Sequence, residues 1–427
     1  MNYVNMANWK YMLRNIRTAG WLLCLLPLPA LAQELPVLSL DTILQRIDRN
    51  NVQLRAYAPK AEAYRYSAEA ATGWMAPMVG VGTFMTPYPG QQVMDANKGS
   101  LMFQIEQDIP NTAKLRARRR YIASQGNIVM AGREVTLNEL RAQAKRLYYN
   151  WIIAAERIRL LQQNQQIIET MKKIAEVRYP YNQSQLGSIY KAEARVTGNH
   201  NMIHMQHGVI DKARAWLNSL MNRPGMEPFR IDTTLEPVFV PAPTYDTAAL
   251  AVARKDVWKM NAGIHSMQLN IEAMKQERKP DFRLSFGHMS PFASGMPKMY
   301  SVMGMVSIPI VPWASSMYKN EVKAMELNVR SMEMEKAGML REAQGMLYGM
   351  EEEIRNMQEH IAITEDKIIP ALQRTLDADF LSYQENRLEL PVIIDAWEAL
   401  TMAQSGLLDE KLRYYEMIVE YEKALYR

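Results

Sequence analysis

Two periodicities divide this chain. The first is an alternation of apolar and polar residues. In 99–109, Leu101, Phe103, Ile105 and Ile109 alternate with Ser100, Met102, Gln104, Glu106 and Asp108. In 281–289, Phe282, Leu284 and Phe286 alternate with Asp281, Arg283, Ser285 and Gly287. In 300–308, Val302, Val306 and Ile308 alternate with Ser301, Met303, Met305 and Ser307. A weaker segment at 78–85 places Val79, Val81, Thr83 and Met85 on one side. Successive side chains of a strand point to opposite faces, so a period of two predicts four strands with one apolar and one polar face. Four strands are too few to close a barrel, which needs about eight. They form either a small sheet packed on a core or part of a larger sheet.

The second periodicity is helical and long. Residues 113–178 read as one helix of roughly 65 residues, about 100 Å at 1.5 Å per residue, and 313–377 as a similar one. Leu147, Ala154, Leu161, Ile168 and Ala175 form a seven-residue stripe. Ile153, Leu160, Ile167 and Ile174 form a second, displaced by one residue or about 100°. A two-stranded coiled coil needs one seam. A helix with two seams has a neighbour on each side, as in a closed ring of helices.

The pattern occurs twice. Met85, Thr86 and Pro87 return as Met289, Ser290 and Pro291; Tyr179 to Asn182 return as Tyr383 to Asn386; Asp108, Ile109 and Pro110 return as Ser307, Ile308 and Pro309. Two structural repeats, 33–221 and 246–427, each read helix, two strands, long helix, turn, long helix. A Pro-rich connector at 222–245 joins them.

The N-terminus changes the setting. Lys10, Arg14 and Arg17 without an acid, the run WLLCLLPLPALA, and Ala30 and Ala32 before Gln33 give residues 1–32 the pattern of a secretory signal peptide. That run is too short to span a membrane, and no later segment offers about eighteen consecutive apolar residues. The one cysteine, Cys24, lies inside the signal, so the mature chain is expected to lack disulfides and thiol sites. Leu23 before it is not the small residue that lipidation requires. The formal charge of +5 falls to +2 once the three basic residues leave, which makes no case for nucleic-acid binding.

Several segments, in this order and spacing, resemble the TolC-like outer-membrane efflux family. They are LSLDTILQRIDRNNVQLRA, EQDIPNTAKLRARRR and YNQSQLGSIYKAEA in the first repeat, and VSIPIVPWASSMYKN and YQENRLELPVIIDAWEAL in the second. The resemblance spans essentially the whole mature chain, and the tip patterns look closest to the heavy-metal-efflux branch. It implies a mixed α/β membrane protein and a homotrimer. Four strands per chain would make one 12-stranded outer-membrane β-barrel, continued by a long α-helical coiled-coil tunnel through the periplasm. Outer-membrane lipid, a periplasmic adaptor (membrane fusion) protein and an RND-type inner-membrane pump would be its partners. Asn182 and Asn386 stand where the family usually has tip glycines, and asparagine tolerates the left-handed backbone a tip requires.

A passive duct needs no cofactor or catalytic group, and no nucleophile or phosphate-loop pattern is present. It does need a gate. Carboxylates near the second tip form aperture rings in the family, and the matching residues are Asp395 and Glu398, whose bland alternative is a pair of solvated acids. Adaptor docking maps to Gln185, Leu186 and Gly187 and to Arg387, Leu388 and Glu389. On the helix containing HNMIHMQH, Met202, Val209 and Trp216 continue an apolar seam, which makes Met202 core-like. His200, His204, His207 and Asp211 share another face, where imidazoles can meet one metal ion or simply form a solvated stripe. Met102, Met289, Met303 and Met305 share the polar, lumen-facing side of the strands, where thioethers suit Cu(I) or Ag(I). Helical methionines such as Met325, Met332, Met339, Met346 and Met350 fit packing positions. The leading expectation is an efflux duct carrying copper, silver or another heavy metal. A drug-efflux duct and a soluble periplasmic coiled-coil scaffold are the alternatives.

Overall fold

The computed structural model describes residues 35–427, so the expected signal peptide lies outside the described residues. A short strand β1 (Val37–Leu38) leads into helices α1 (Leu40–Asn50), α2 (Val52–Arg55) and α3 (Tyr57–Ala70). Strands β2 (Met78–Phe84) and β3 (Ser100–Ile109) are followed by α4 (Thr112–Arg178) and α5 (Leu186–Leu220). After β4 (Arg230–Ile231) the order recurs as α6 (Thr247–Ala253), α7 (Lys255–Gln276), β5 (Phe282–Pro291), β6 (Met299–Val306), α8 (Pro312–Ile363), α9 (Ile369–Gln384) and α10 (Leu390–Leu425).

Helix α4 runs 67 residues without a break. Asn111 caps its start, accepting from the Ala113 N–H at 3.0 Å. Its counterpart differs from the expected 313–377. It continues to Gln384 and is interrupted by a π-turn at Thr364–Ile368. Pro370 supplies the reason: it has no N–H and its ring crowds the carbonyl four residues back, so the wider turn accommodates it. Both hairpins reverse at asparagine in the left-handed region, Asn182 (φ 57°) and Asn386 (φ 62°). Helices α5 and α10 also stop at repeat-related residues, Asn222 (φ 56°) and Tyr426 (φ 61°).

The helices lie side by side in a fixed lateral order. α3 and α5 flank one side of α4, α7 and α10 flank the other, and α8 with α9 lies beyond them. Each seam of α4 therefore has its neighbour. Ala154, Leu161, Ile168 and Ala175 are fully buried, and Leu160, Ile167 and Ile174 pack partly against the same cores. The sheet repeats this order as β2-β3-β5-β6, antiparallel throughout. Because β2 follows α3, β3 feeds α4, β5 follows α7 and β6 feeds α8, sheet and helices form one slab.

The sheet does not sit on a core. Register places Val81, Phe103, Ile105, Leu284, Phe286 and Val302 on one face, and they are 64, 45, 49, 48, 44 and 62 % exposed. The reading of a small sheet packed on a core is thereby corrected: none of the described residues covers that face. No helix of the described residues is long and apolar enough to cross a membrane.

The connector is a packed belt. β4 pairs in parallel with β1, and the Phe229 ring packs against Trp151 of α4 at 5.2 Å, tilted by 54°. The Tyr148 hydroxyl donates to the Asp232 carbonyl at 3.1 Å. At the far end the Tyr421 hydroxyl of α10 accepts from the Ala242 N–H at 2.7 Å and meets the Tyr245 hydroxyl at 2.5 Å. These contacts bind the connector to both repeats.

Half-buried Glu156 on α4 lies near Glu236 of this belt. Burial raises its carboxyl above the usual Glu range, with Lys411 and Arg159 pulling it partly back. The folded chain then holds this proton more tightly than the unfolded chain. The contribution of Glu156 to stability therefore falls as pH rises from the ordinary Glu value through the raised one. Glu156→Gln is expected to remove that part of the slope and raise the thermal midpoint at neutral pH. Melting scans of both proteins from about pH 4 to 8 check this; parallel curves would exclude Glu156 as the source.

Candidate functional site

The two hairpin tips meet at the end of the slab away from the sheet. Arg178, the last residue of α4, donates to the carbonyls of Tyr383 (2.8 Å) and Gln384 (2.9 Å) at the end of α9. Its guanidinium also covers the Tyr383 ring at 4.8 Å. A cation here satisfies carbonyls that lack intrahelical partners and complements the helix dipole. Between the tips lies a groove of about 300 Å³ lined by Asn182, Gln185, Asn386, Arg387, Leu388 and Glu389, among others. Of the sequence-predicted docking residues, Gln185, Arg387, Leu388 and Glu389 line it. Leu186 is exposed beside it, and Gly187 faces open space.

Asp395 and Glu398 stand just inside the tip on α10 and face α5. Neither carboxylate is bare. Lys191 Nζ lies 2.8 Å from Asp395 Oδ1, and Arg195 Nε lies 2.5 Å from Glu398 Oε1. Two ion-pair rungs therefore tie the first hairpin to the second. Exposed pairs of this kind contribute at most about 1 kcal/mol each, weak enough for a docking partner to break. Sequence reasoning missed Lys191 and Arg195. The signal was in the repeat, since Lys191 and Asp395 are 204 positions apart, as are Asn182 and Asn386.

Two of the four residues of the histidine stripe are taken by other contacts, and His204 and His207 are exposed. His200 shares a 2.7 Å hydrogen bond with Gln165 of α4, and Asp211 takes a 2.8 Å ion pair from Arg214. Among the described residues, no group of three or more His, Cys, Asp or Glu side chains is placed to hold a metal ion. The neighbouring seam is not core within one chain. Met202, Val209 and Trp216 are 43, 36 and 49 % exposed, because no element of the described residues covers that flank of α5. Among the helical methionines, Met325 is buried, whereas Met346 is exposed on α8. Met102, Met289, Met303 and Met305 share the polar face of the sheet, and Met299 joins them there.

No protein-family model matches the chain, and no curated protein sequence matches it. The fold, by contrast, has clear relatives among solved structures. The open-state MtrE outer-membrane channel of Neisseria gonorrhoeae is 17 % identical, with a TM-score of 0.68 over 91 % of this chain and 88 % of that one. The CusC structure, described in connection with transmembrane channel formation, is 15 % identical with a TM-score of 0.71 over 90 % and 91 %. The outer-membrane protein VceC of Vibrio cholerae is 14 % identical with a TM-score of 0.67 over 90 % and 95 %. The chain thus has the fold of outer-membrane channel proteins along nearly its full described length.

Reversing the rung charges tests the tip. Lys191→Glu with Arg195→Glu is expected to speed amide exchange in 186–198 and 390–401 while leaving the belt around Phe229 protected. Hydrogen-exchange mass spectrometry reads both regions. Unchanged tip exchange would mean that the rungs do not hold the hairpins together.

Proposed function

We propose that this chain is one third of a trimeric outer-membrane exit duct, working with a periplasmic adaptor and an energised inner-membrane pump. The bare apolar face of the sheet carries the reading. In water that face would be a liability, and in lipid it is what a barrel wall requires. Lipid does not tolerate open sheet edges, so β2 and β6 must be paired. The four strands alternate in direction, so β6 of one copy meets β2 of the next antiparallel. Three copies then supply 12 strands.

The helical flanks support the same closure. α3 and α5 leave Tyr66, Met202, Val209 and Trp216 uncovered, and α8 and α9 leave Leu327, Met334, Tyr348 and Leu381 uncovered. A head-to-tail contact between unlike flanks generates a ring when its rotation closes. The polar sheet face, with Glu106, Asp108, Arg283 and Ser285, then lines the lumen. The duct conducts passively. Its aperture lies at Asp395 and Glu398, where threefold symmetry gathers the acids into a cation-favouring constriction once Lys191 and Arg195 let go. The adaptor seats in the tip groove. Heavy-metal ions, copper or silver in particular, are the preferred cargo, a reading supported by the thioethers of the polar face.

Planar-bilayer conductance of the detergent-extracted protein tests duct and gate together. Wild type is expected to give small discrete events and Asp395→Ala/Glu398→Ala larger ones. A folded, water-soluble monomer without channels would end the duct reading. Assembly has its own test. With Trp216→Cys and Tyr348→Cys in one chain, a short thiol cross-linker should give a ladder that ends at three copies. Monomer alone after treatment would remove this flank as the interface.

A further inference from the structure

The strand register sets three methionines in a line. Met102 of β3 stands directly opposite Met289 of β5, and Met289 stands directly opposite Met299 of β6. All three belong to the polar face, between Ser100 and Gln104 on β3 and beside Ser301 on β6. The fourth position of the row is Gly82 of β2, opposite Met102, and a side chain built there would meet open space. Directly opposed residues have Cβ atoms about 5 Å apart, so the outer two methionines are separated by about 10 Å. Three flexible, unbranched side chains span that gap readily.

Packing does not account for the row. Methionine serves as a filler of irregular cores, but none of the three is a core residue: Met299 is 52 % exposed, and Met102 and Met289 are only partly covered. His288 pairs with Phe103 and Tyr300 on the opposite face, so no imidazole joins the row.

We propose that Met102, Met289 and Met299 form a three-thioether site for a soft monovalent cation, Ag(I) or Cu(I). Neutral sulfur lone pairs suit a d¹⁰ monovalent ion and compete poorly for Mg²⁺, Ca²⁺ or Zn²⁺, which prefer oxygen, imidazole or thiolate. Thioethers bind without losing a proton, so occupancy is independent of pH across the range where histidine titrates. The ion keeps its charge among neutral ligands and can be released. Met303 and Met305 offer onward sulfurs on the same face of β6. The site gives the cargo a chemical class, and its access from the lumen rests on the duct reading; binding itself does not.

The test uses the full chain in detergent with silver nitrate in chloride-free buffer, and silver retained after desalting is counted by mass spectrometry. Wild type is expected to keep about one more Ag(I) per chain than Met102→Leu/Met289→Leu/Met299→Leu. Met289→Leu alone should lose the same ion, because it removes the middle sulfur. A control with Met317→Leu/Met334→Leu/Met402→Leu, all exposed on helices, should retain it. Retention should be equal at about pH 5 and 8 and unaffected by excess Zn²⁺. Equal silver in wild type and the row variants, or equal loss in the control, overturns the site. Conductance of the same preparations in potassium nitrate is scored separately. A silver-binding chain without channels would sink the duct and leave the site standing, whereas a conducting chain without row-specific silver would sink the site alone.

Discussion

Unsatisfied edges govern this molecule. Among the described residues β2 pairs only with β3, and β6 only with β5, so each outer strand presents backbone donors and acceptors with no partner. Orphaned backbone groups are tolerable in water and costly in lipid. The apolar face between those edges is uncovered, which is tolerable in lipid and costly in water. No environment suits a lone copy, and the two liabilities are removed together only if copies close the sheet into a barrel. The helical slab carries the same demand, since its outer flanks hold uncovered apolar stripes in line with the open strands.

Within one copy, cohesion is distributed unevenly from belt to tip. Around the connector, aromatic side chains and backbone carbonyls interlock both repeats, as in the tilted Trp151–Phe229 ring contact and the Tyr245–Tyr421 hydroxyl pair. At the tip, a smaller core built on Ile393, Ile394 and Trp397 is supplemented by exposed ion pairs that solvent screens. The π-turn at Thr364–Ile368 interrupts the long helix before it reaches that tip. Rigidity near the connector and weak lateral ties at the tip are what the proposed duct would need, with an end that changes width while its barrel stays closed.

Methionine illustrates how one residue type divides by location. Buried Met325 packs between helices, in contact with Asn270. On the polar sheet face Met299 is exposed and Met102 and Met289 are only partly covered, which leaves their thioethers accessible for the proposed coordination. The abundance of 32 methionines in the chain could not separate these roles, and the position of each on its element does.

Much of this was legible in the linear pattern, because period and repeat are properties of neighbours along the chain. The alternation in 99–109 and 281–289 gave strands with the correct faces, the paired stripes of α4 gave neighbours on both sides, and Asn182 and Asn386 gave the left-handed turns. What the linear pattern did not show were relations between groups far apart in sequence. Met202 lies on an apolar seam that none of the described residues covers, so it is exposed and not core-like. Asp395 and Glu398 were legible as candidate aperture acids, but their partners Lys191 and Arg195 were not, because these lie some 200 positions away. The line of Met102, Met289 and Met299 depends on strand register, set by hydrogen bonds between segments up to about 200 residues apart. Sequence by itself determined the elements and their faces, since these follow from local stereochemistry. Tertiary structure alone decided which charges pair, which flanks stay bare and which sulfurs stand in a row, because those outcomes depend on distance in space.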